Sequence, residues 1–240
     1  MQTNTITLST PDGPMDLYDA VPDAPNGAAI VVIQEAFGVN GHIEDVTRRF
    51  AAEGYRAVAP HLFHRAGGGT APYDDFSKVL PLFAALSDAA LLVDVDAALG
   101  HLREQGFTDE QIGAVGFCMG GRVTFLIALD RKLGAAVGFY GGGIVTGRFP
   151  QFPTLVERAA SLQTPFLGLF GDLDTSIPVE DVESLKKALT DAPVESDIVR
   201  YADAEHGFHC DARPSYNAEA AKDAWGRTLR WFDRLQRSAR

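Results

Sequence analysis

The chain has 240 residues, 46% of them hydrophobic, which suffices for one well-filled core and is short for two, so a single domain over residues 1–240 is expected. A formal charge of −11 leaves no concentrated basic surface, which argues against nucleic acid as a partner and toward a small molecule. Residues 1–9 lack the basic start and apolar core of a signal peptide, no apolar run is long enough to cross a bilayer, and the only cysteines, Cys118 and Cys210, read as reduced thiols; the expectation is a cytoplasmic protein without membrane attachment.

A hairpin opens the chain, with strands over 5–8 and 15–18 around Pro11-Asp12-Gly13. Short, almost continuous apolar runs follow at 28–33, 56–59, 113–116, 135–140, 165–170 and 196–201, the pattern of a mostly parallel sheet covered on both faces. Between them the spacing predicts helices over 43–53, 85–105, 119–130, 179–190 and 217–237, so the fold class is α/β. In the last helix Ala221, Ala224, Trp225, Leu229, Trp231, Phe232 and Leu235 recur near helical spacing and read as core. The glycine-rich segment 66–70 reads equally as a surface linker or a lid.

The densest chemical signal is Gly116-Phe117-Cys118-Met119-Gly120-Gly121, where an apolar strand runs into a helix through Gly-x-Cys-x-Gly. This is a nucleophile elbow with sulfur in place of the usual serine oxygen. Gly116 and Gly120 let strand and helix approach where a Cβ would collide. At the helix start the free amides favour a thiolate, and the Met119 N–H can point at a developing oxyanion. A buried cysteine packed as a small hydrophobe is the competing reading, and the flanking glycines disfavour it.

A nucleophile in this architecture is followed in the chain by an acid and then a histidine. The loop Gly171-Asp172-Leu173-Asp174-Thr175-Ser176-Ile177-Pro178 offers two carboxylates; Asp174 is chosen on its spacing before Pro178, with Asp172 as a turn-former or the alternative acid. After the last strand, His206 precedes Gly207 at the expected remove, with His209 as its rival. A zinc site of His206, His209, Cys210 and Asp211 is disfavoured, because the spacing matches no standard pattern and no second ligand cluster exists elsewhere. After the first buried run comes Gln34-Glu35-Ala36-Phe37-Gly38-Val39-Asn40, where the Ala36 N–H can pair with that of Met119 as a second oxyanion donor. Glu35 is expected beside the thiol, accepting its S–H bond and holding it quiet until substrate arrives.

In these motifs and in their order the chain resembles the dienelactone hydrolase family of α/β-hydrolases over nearly its whole length. The resemblance implies an α/β-hydrolase fold and a triad of Cys118, His206 and Asp174. It also implies that Glu35 is coupled to the thiol and that substrate releases this coupling. The implied chemistry is hydrolysis of a lactone or small ester, carboxymethylenebutenolidase-like, through an acyl-enzyme, with no metal or organic cofactor, in a monomer or small homo-oligomer. Members acting on carboxylated dienelactones anchor the carboxylate with arginines, one four residues after the histidine; here that position is Cys210. Arg65 and Arg213 lie out of register and read as solvated surface charge, and Arg122 as packing on the elbow helix. A general carboxylesterase, or a thiol sensor on the same fold, is the alternative.

Overall fold

A computed structural model describes residues 1–147 and 149–237. These residues build one eight-stranded sheet. Its strands are β1 (Gln2–Thr10), β2 (Gly13–Val21), β3 (Ala29–Ile33), β4 (Arg56–Pro60), β5 (Ile112–Phe117), β6 (Ala135–Phe139), β7 (Phe166–Gly171) and β8 (Ser196–Tyr201). Their spatial order is β1-β2-β4-β3-β5-β6-β7-β8, antiparallel through β1, β2 and β4 and parallel from β4 onward. The predicted hairpin is therefore the antiparallel edge, longer than the sequence signals at both strands.

Among the described residues six α-helices connect or follow the strands: α1 (Gly41–Ala52), α2 (Leu80–Phe83), α3 (Asp88–Glu104), α4 (Met119–Asp130), α5 (Val179–Ala188) and α6 (Ala218–Arg237). The helix expected over 85–105 starts at Asp88, because the Ser87 side chain caps it by accepting from the Ala90 N–H. Asn40 caps α1 in the same way through Ile43.

Strand side chains alternate between two cores, as the pleat requires. Ile30 and Val32 of β3 with Val115 and Phe117 of β5 face α1 and α6, where Phe50 packs against Trp225 and Phe232. Ala29, Val31 and Ile33 with Ile112 and Ala114 face α3 and Val123 and Ile127 of α4. Because both faces are covered, the central parallel strands β3, β5, β6 and β7 read as unbroken apolar runs, whereas the edge strand β8, with Asp197 and Arg200, is only partly buried.

The chain passes from β3 through α1 to β4 on one side of β3, then through α3 to β5 on the other side. This reversal opens a crevice at the carboxyl ends of β3 and β5, the place where open α/β sheets bind ligands. Among the described residues no helix is long and apolar enough to cross a membrane.

Candidate active site

The last residues of four parallel strands lead directly into the four segments singled out by the sequence. Glu35 and Ala36 follow β3, Cys118 follows β5, Asp174 follows β7 and His206 follows β8. Cys118 takes φ 56° and ψ −117°, a left-handed conformation that an L-residue adopts only when its surroundings hold it there. Its N–H is tied to the Phe139 carbonyl at 3.1 Å, while its carbonyl accepts the first bonds of α4. The sharp turn depends on the two glycines: a Cβ on Gly116 would stand 2.0 Å from the Gly120 carbonyl oxygen, and one on Gly120 would stand 2.4 Å from the Ile33 carbonyl oxygen.

Asp174 is 4% exposed and fully engaged. Its Oδ2 lies 2.6 Å from His206 Nδ1, and its Oδ1 accepts from the Ser176 N–H (2.8 Å), the Ser176 hydroxyl (2.5 Å) and the Ile177 N–H (3.1 Å). Burial opposes the carboxylate, but the His206 bond and the Ser176 donors outweigh it and hold its pKa below the usual range. For His206 burial likewise opposes charge, yet Cys118 and Asp174 on its two sides push its pKa up to about 10. Asp172, the alternative acid, instead receives Arg200 at 2.7 and 2.9 Å at the sheet edge. His209, the rival base, is a core residue, stacked on Phe117 (5.3 Å) and Trp225 (6.0 Å) with neither ring nitrogen hydrogen-bonded. Burial drives its pKa well below the ordinary value.

Cys118, Met119, Ala36, Ser176 and His206 share one cleft of about 300 Å³ whose walls are Phe37, Tyr73, Phe76, Phe83, Phe149 and Phe152. Among the described residues neither the Met119 nor the Ala36 N–H is taken by a protein acceptor.

Glu35 is fully buried. Its Oε2 accepts from the Tyr73 hydroxyl at 3.0 Å, and its Oε1 lies 3.5 Å from Arg213 Nη1; among the described residues no hydrogen bond joins it to Cys118. Tyr73 also accepts from Asn40 Nδ2 at 3.0 Å, and burial beside Glu35 pushes its pKa far above that of free tyrosine.

The arginine readings change. Arg213 is not a solvated charge: it lines the cleft, faces Glu35 and lies over the Phe37 and Tyr73 rings at 5.8 and 5.6 Å. The turn at Gly207, with φ +79°, leaves room for it, since a Cβ there would meet Arg213 Nη1 at 2.5 Å. Register along the sequence fails as a guide because the 207–216 segment coils through successive turns, with bonds from Cys210 to Gly207, Arg213 to Cys210 and Tyr216 to Arg213. Arg65 is also not solvated; it is clamped by the buried Asp94 at 2.6 and 2.9 Å and by Asp12. Arg122 packs on α4 as expected, held by Asp88 and the Pro153 carbonyl, and it also reaches the cleft wall.

Sequence reasoning missed Tyr73, Ser176 and Tyr140. Tyr140, at φ 37°, directly follows β6, with its ring 5.1 Å from His206 and its buried hydroxyl unpartnered. Tyr73 carries no local signal, since it arrives from the segment after the glycine run, which packs on the Glu35 turn through Ala71 N–H to the Phe37 carbonyl. The four residues of the disfavoured zinc site do not assemble: His206 belongs to Asp174, while Cys210 lies beside Glu35 and His42.

A reversing parallel sheet with a strained residue between β5 and α4, and an acid and a histidine after β7 and β8, defines an α/β-hydrolase fold. Residues 15–236 match the dienelactone hydrolase family, and the chain belongs to that family, hydrolases of ester or lactone bonds. It is 41% identical over 223 residues to a Salmonella typhimurium protein named "Putative carboxymethylenebutenolidase", covering 91% of this chain and 82% of that one. It is 29% identical to a carboxymethylenebutenolidase of Pseudomonas putida, covering 98% of each. A crystal structure from Klebsiella pneumoniae, described as a "Putative Dienelactone Hydrolase", superposes with a TM-score of 0.87 at 38% identity, covering 97% of this chain and 98% of that one.

Proposed function

We propose that this protein is a cysteine hydrolase of a small lactone or ester, carboxymethylenebutenolidase-like, working through an acyl-enzyme. One observation carries the reading: Cys118, strained at φ 56° at the start of α4, opens into the same cleft as a histidine fixed by a buried aspartate. Cys118 and Asp174 on its two sides favour the protonated form of His206, the form that can give a proton to a departing oxygen.

In this reading the Cys118 thiolate attacks the carbonyl carbon, and the amides of Met119 and Ala36 receive the negative oxygen. His206 gives its proton to the departing oxygen as the ring C–O bond breaks, leaving a thioester. It then takes a proton from water, whose oxygen attacks the thioester and expels the Cys118 thiolate as the acid is released. Asp174 holds the imidazole with Nδ1–H toward itself and Nε2 toward the sulfur. Glu35 rests on Tyr73 and Arg213; an anionic substrate that draws Arg213 away frees its carboxylate to act on the thiol. Arg213 thereby also supplies the cation for a substrate carboxylate. The phenylalanine walls equally favour a neutral aryl or alkyl ester, the second reading.

The test is hydrolysis of dienelactone and of a small activated aryl ester by the parent and Cys118→Ala proteins, with acid-quenched enzyme examined by peptide mass spectrometry. An acyl adduct on the Cys118 peptide and loss of turnover in Cys118→Ala are expected. Retention of most activity by that variant overturns the proposal.

A further inference from the structure

His42 and Cys210 have no part in the reaction above, yet one donor atom from each of Glu35, His42 and Cys210 lies within 4.8 Å of the other two, and all three residues are buried. Their hydrogen bonding is incomplete. Glu35 Oε1 and His42 Nε2 have no hydrogen-bond partner, although Glu35 is 0% and His42 only 8% exposed. Burying such groups without a hydrogen bond is unfavourable, and a bound cation would satisfy both, Glu35 Oε1 otherwise facing only Arg213 Nη1 at 3.5 Å. The Cys210 thiol makes one weak bond, donating to the Tyr73 oxygen at 3.4 Å. On the other side of the His42 ring, Nδ1 lies 3.8 Å from Asp211 Oδ1. A carboxylate behind one ring nitrogen with the other left free is how metal-binding histidines are oriented.

We propose that Glu35, His42 and Cys210 form a site for one borderline divalent cation of the zinc type, with Asp211 as the outer partner of His42 and water in the fourth position. Thiolate, imidazole and carboxylate together are zinc donors rather than magnesium or calcium donors. Tetrahedral coordination at 2.0–2.3 Å needs donors about 3.3–3.8 Å apart, so the three side chains need close by no more than about 1.5 Å on binding. Cys210 loses its proton to solvent and its sulfur lone pair forms the bond to the metal, with no change of oxidation state. The Arg213 guanidinium opposes the ion from the cleft side, and the Asp211 carboxylate offsets it. Asp211, the outer partner of His42, has a side chain 71% exposed to solvent. An ion on Glu35 fixes that carboxylate away from the thiol, so the site inhibits hydrolysis; this consequence rests on the role proposed for Glu35, whereas the binding itself does not.

The experiment is a cobalt(II) titration of full-length Cys118→Ala, read by the near-ultraviolet thiolate-to-cobalt absorption band, with zinc as competitor. One ion per chain is expected. The band should disappear in the Cys118→Ala, Cys210→Ser double variant, and affinity should fall at least tenfold in Cys118→Ala, His42→Gln, both with circular dichroism like that of the parent. No band in Cys118→Ala, or a band that survives Cys210→Ser, overturns the site. In the activity arm, zinc should suppress aryl-ester hydrolysis by the parent, reversibly with a chelator, and spare Cys210→Ser. Equal suppression of both places the inhibiting ion on Cys118 and overturns the inhibitory role. Absence of hydrolysis in both without zinc would count against the proposed function and leave the cobalt result standing.

Discussion

His206 Nδ1 sits 2.6 Å from Asp174 Oδ2, while the other oxygen of Asp174 is saturated by Ser176 and Ile177. The carboxylate thus has one geometry available, and the imidazole is held with Nδ1–H toward it. Asp174→Asn should lower kcat by about three to four orders of magnitude, because the amide favours the wrong tautomer. Asp172→Asn, which loosens only the Arg200 clamp at the sheet edge, should stay within a few-fold of the parent. Steady-state kinetics of the two variants checks the ranking, and the reverse order would move the acid to Asp172.

The contacts of Glu35 make it the residue most open to test. If Cys118 acts as proposed, Glu35→Gln removes a buried negative charge that opposes its thiolate, so the apparent pKa of Cys118 alkylation should fall while hydrolysis slows. Iodoacetamide inactivation rates measured across pH without substrate give the first quantity. Tyr73→Phe, which takes away the donor to Oε2, should move the same profile. Unchanged profiles and rates in both variants would make Glu35 a bystander.

Arg213 is expected to discriminate between substrates. Arg213→Met removes a charge-assisted contact worth about 1.5–3 kcal/mol, roughly a 10- to 100-fold rise in KM for a carboxylated lactone. A neutral aryl ester should show little change in KM. Equal effects on both substrates would mean that Arg213 acts on Glu35 alone.

Stability should depend on pH from both sides. His206 binds its proton more tightly folded than unfolded, so its stabilising contribution is complete below pH 6.5 and is lost as pH rises toward about 10. His42, His61 and His209 are held neutral by burial; below pH 6.5 the unfolded chain takes up protons that the fold refuses, and stability falls with falling pH. Urea midpoints from pH 5 to 10 should therefore peak near neutrality, and His206→Ala should flatten the alkaline side only.

The elbow itself predicts a stability loss. A methyl group at Gly116 must displace backbone 2.0 Å away, so Gly116→Ala should cost about 3 kcal/mol or more, on the order of 6–12 °C in Tm for a chain of this size. Calorimetry that found no loss would contradict the close approach of β5 and α4.

Local chemistry made much of this protein legible in its sequence. The apolar run 113–116 suits a covered strand, which the structure extends to 112–117, and Gly116 and Gly120 around Cys118 mark a tight turn between strand and helix. His206 and Asp174 could be chosen because each follows its strand end at a short, fixed distance. What depends on side chains meeting from distant segments was decided only in three dimensions. Arg213 reaches the cleft because its segment coils back on itself. Tyr73 meets Glu35 from 38 residues away, across a glycine-rich stretch whose packing has no periodic signature. Cys210 stands beside His42 because α1 and the segment after β8 flank the carboxyl end of the same sheet, although 168 residues separate them, and no spacing along the chain records that juxtaposition.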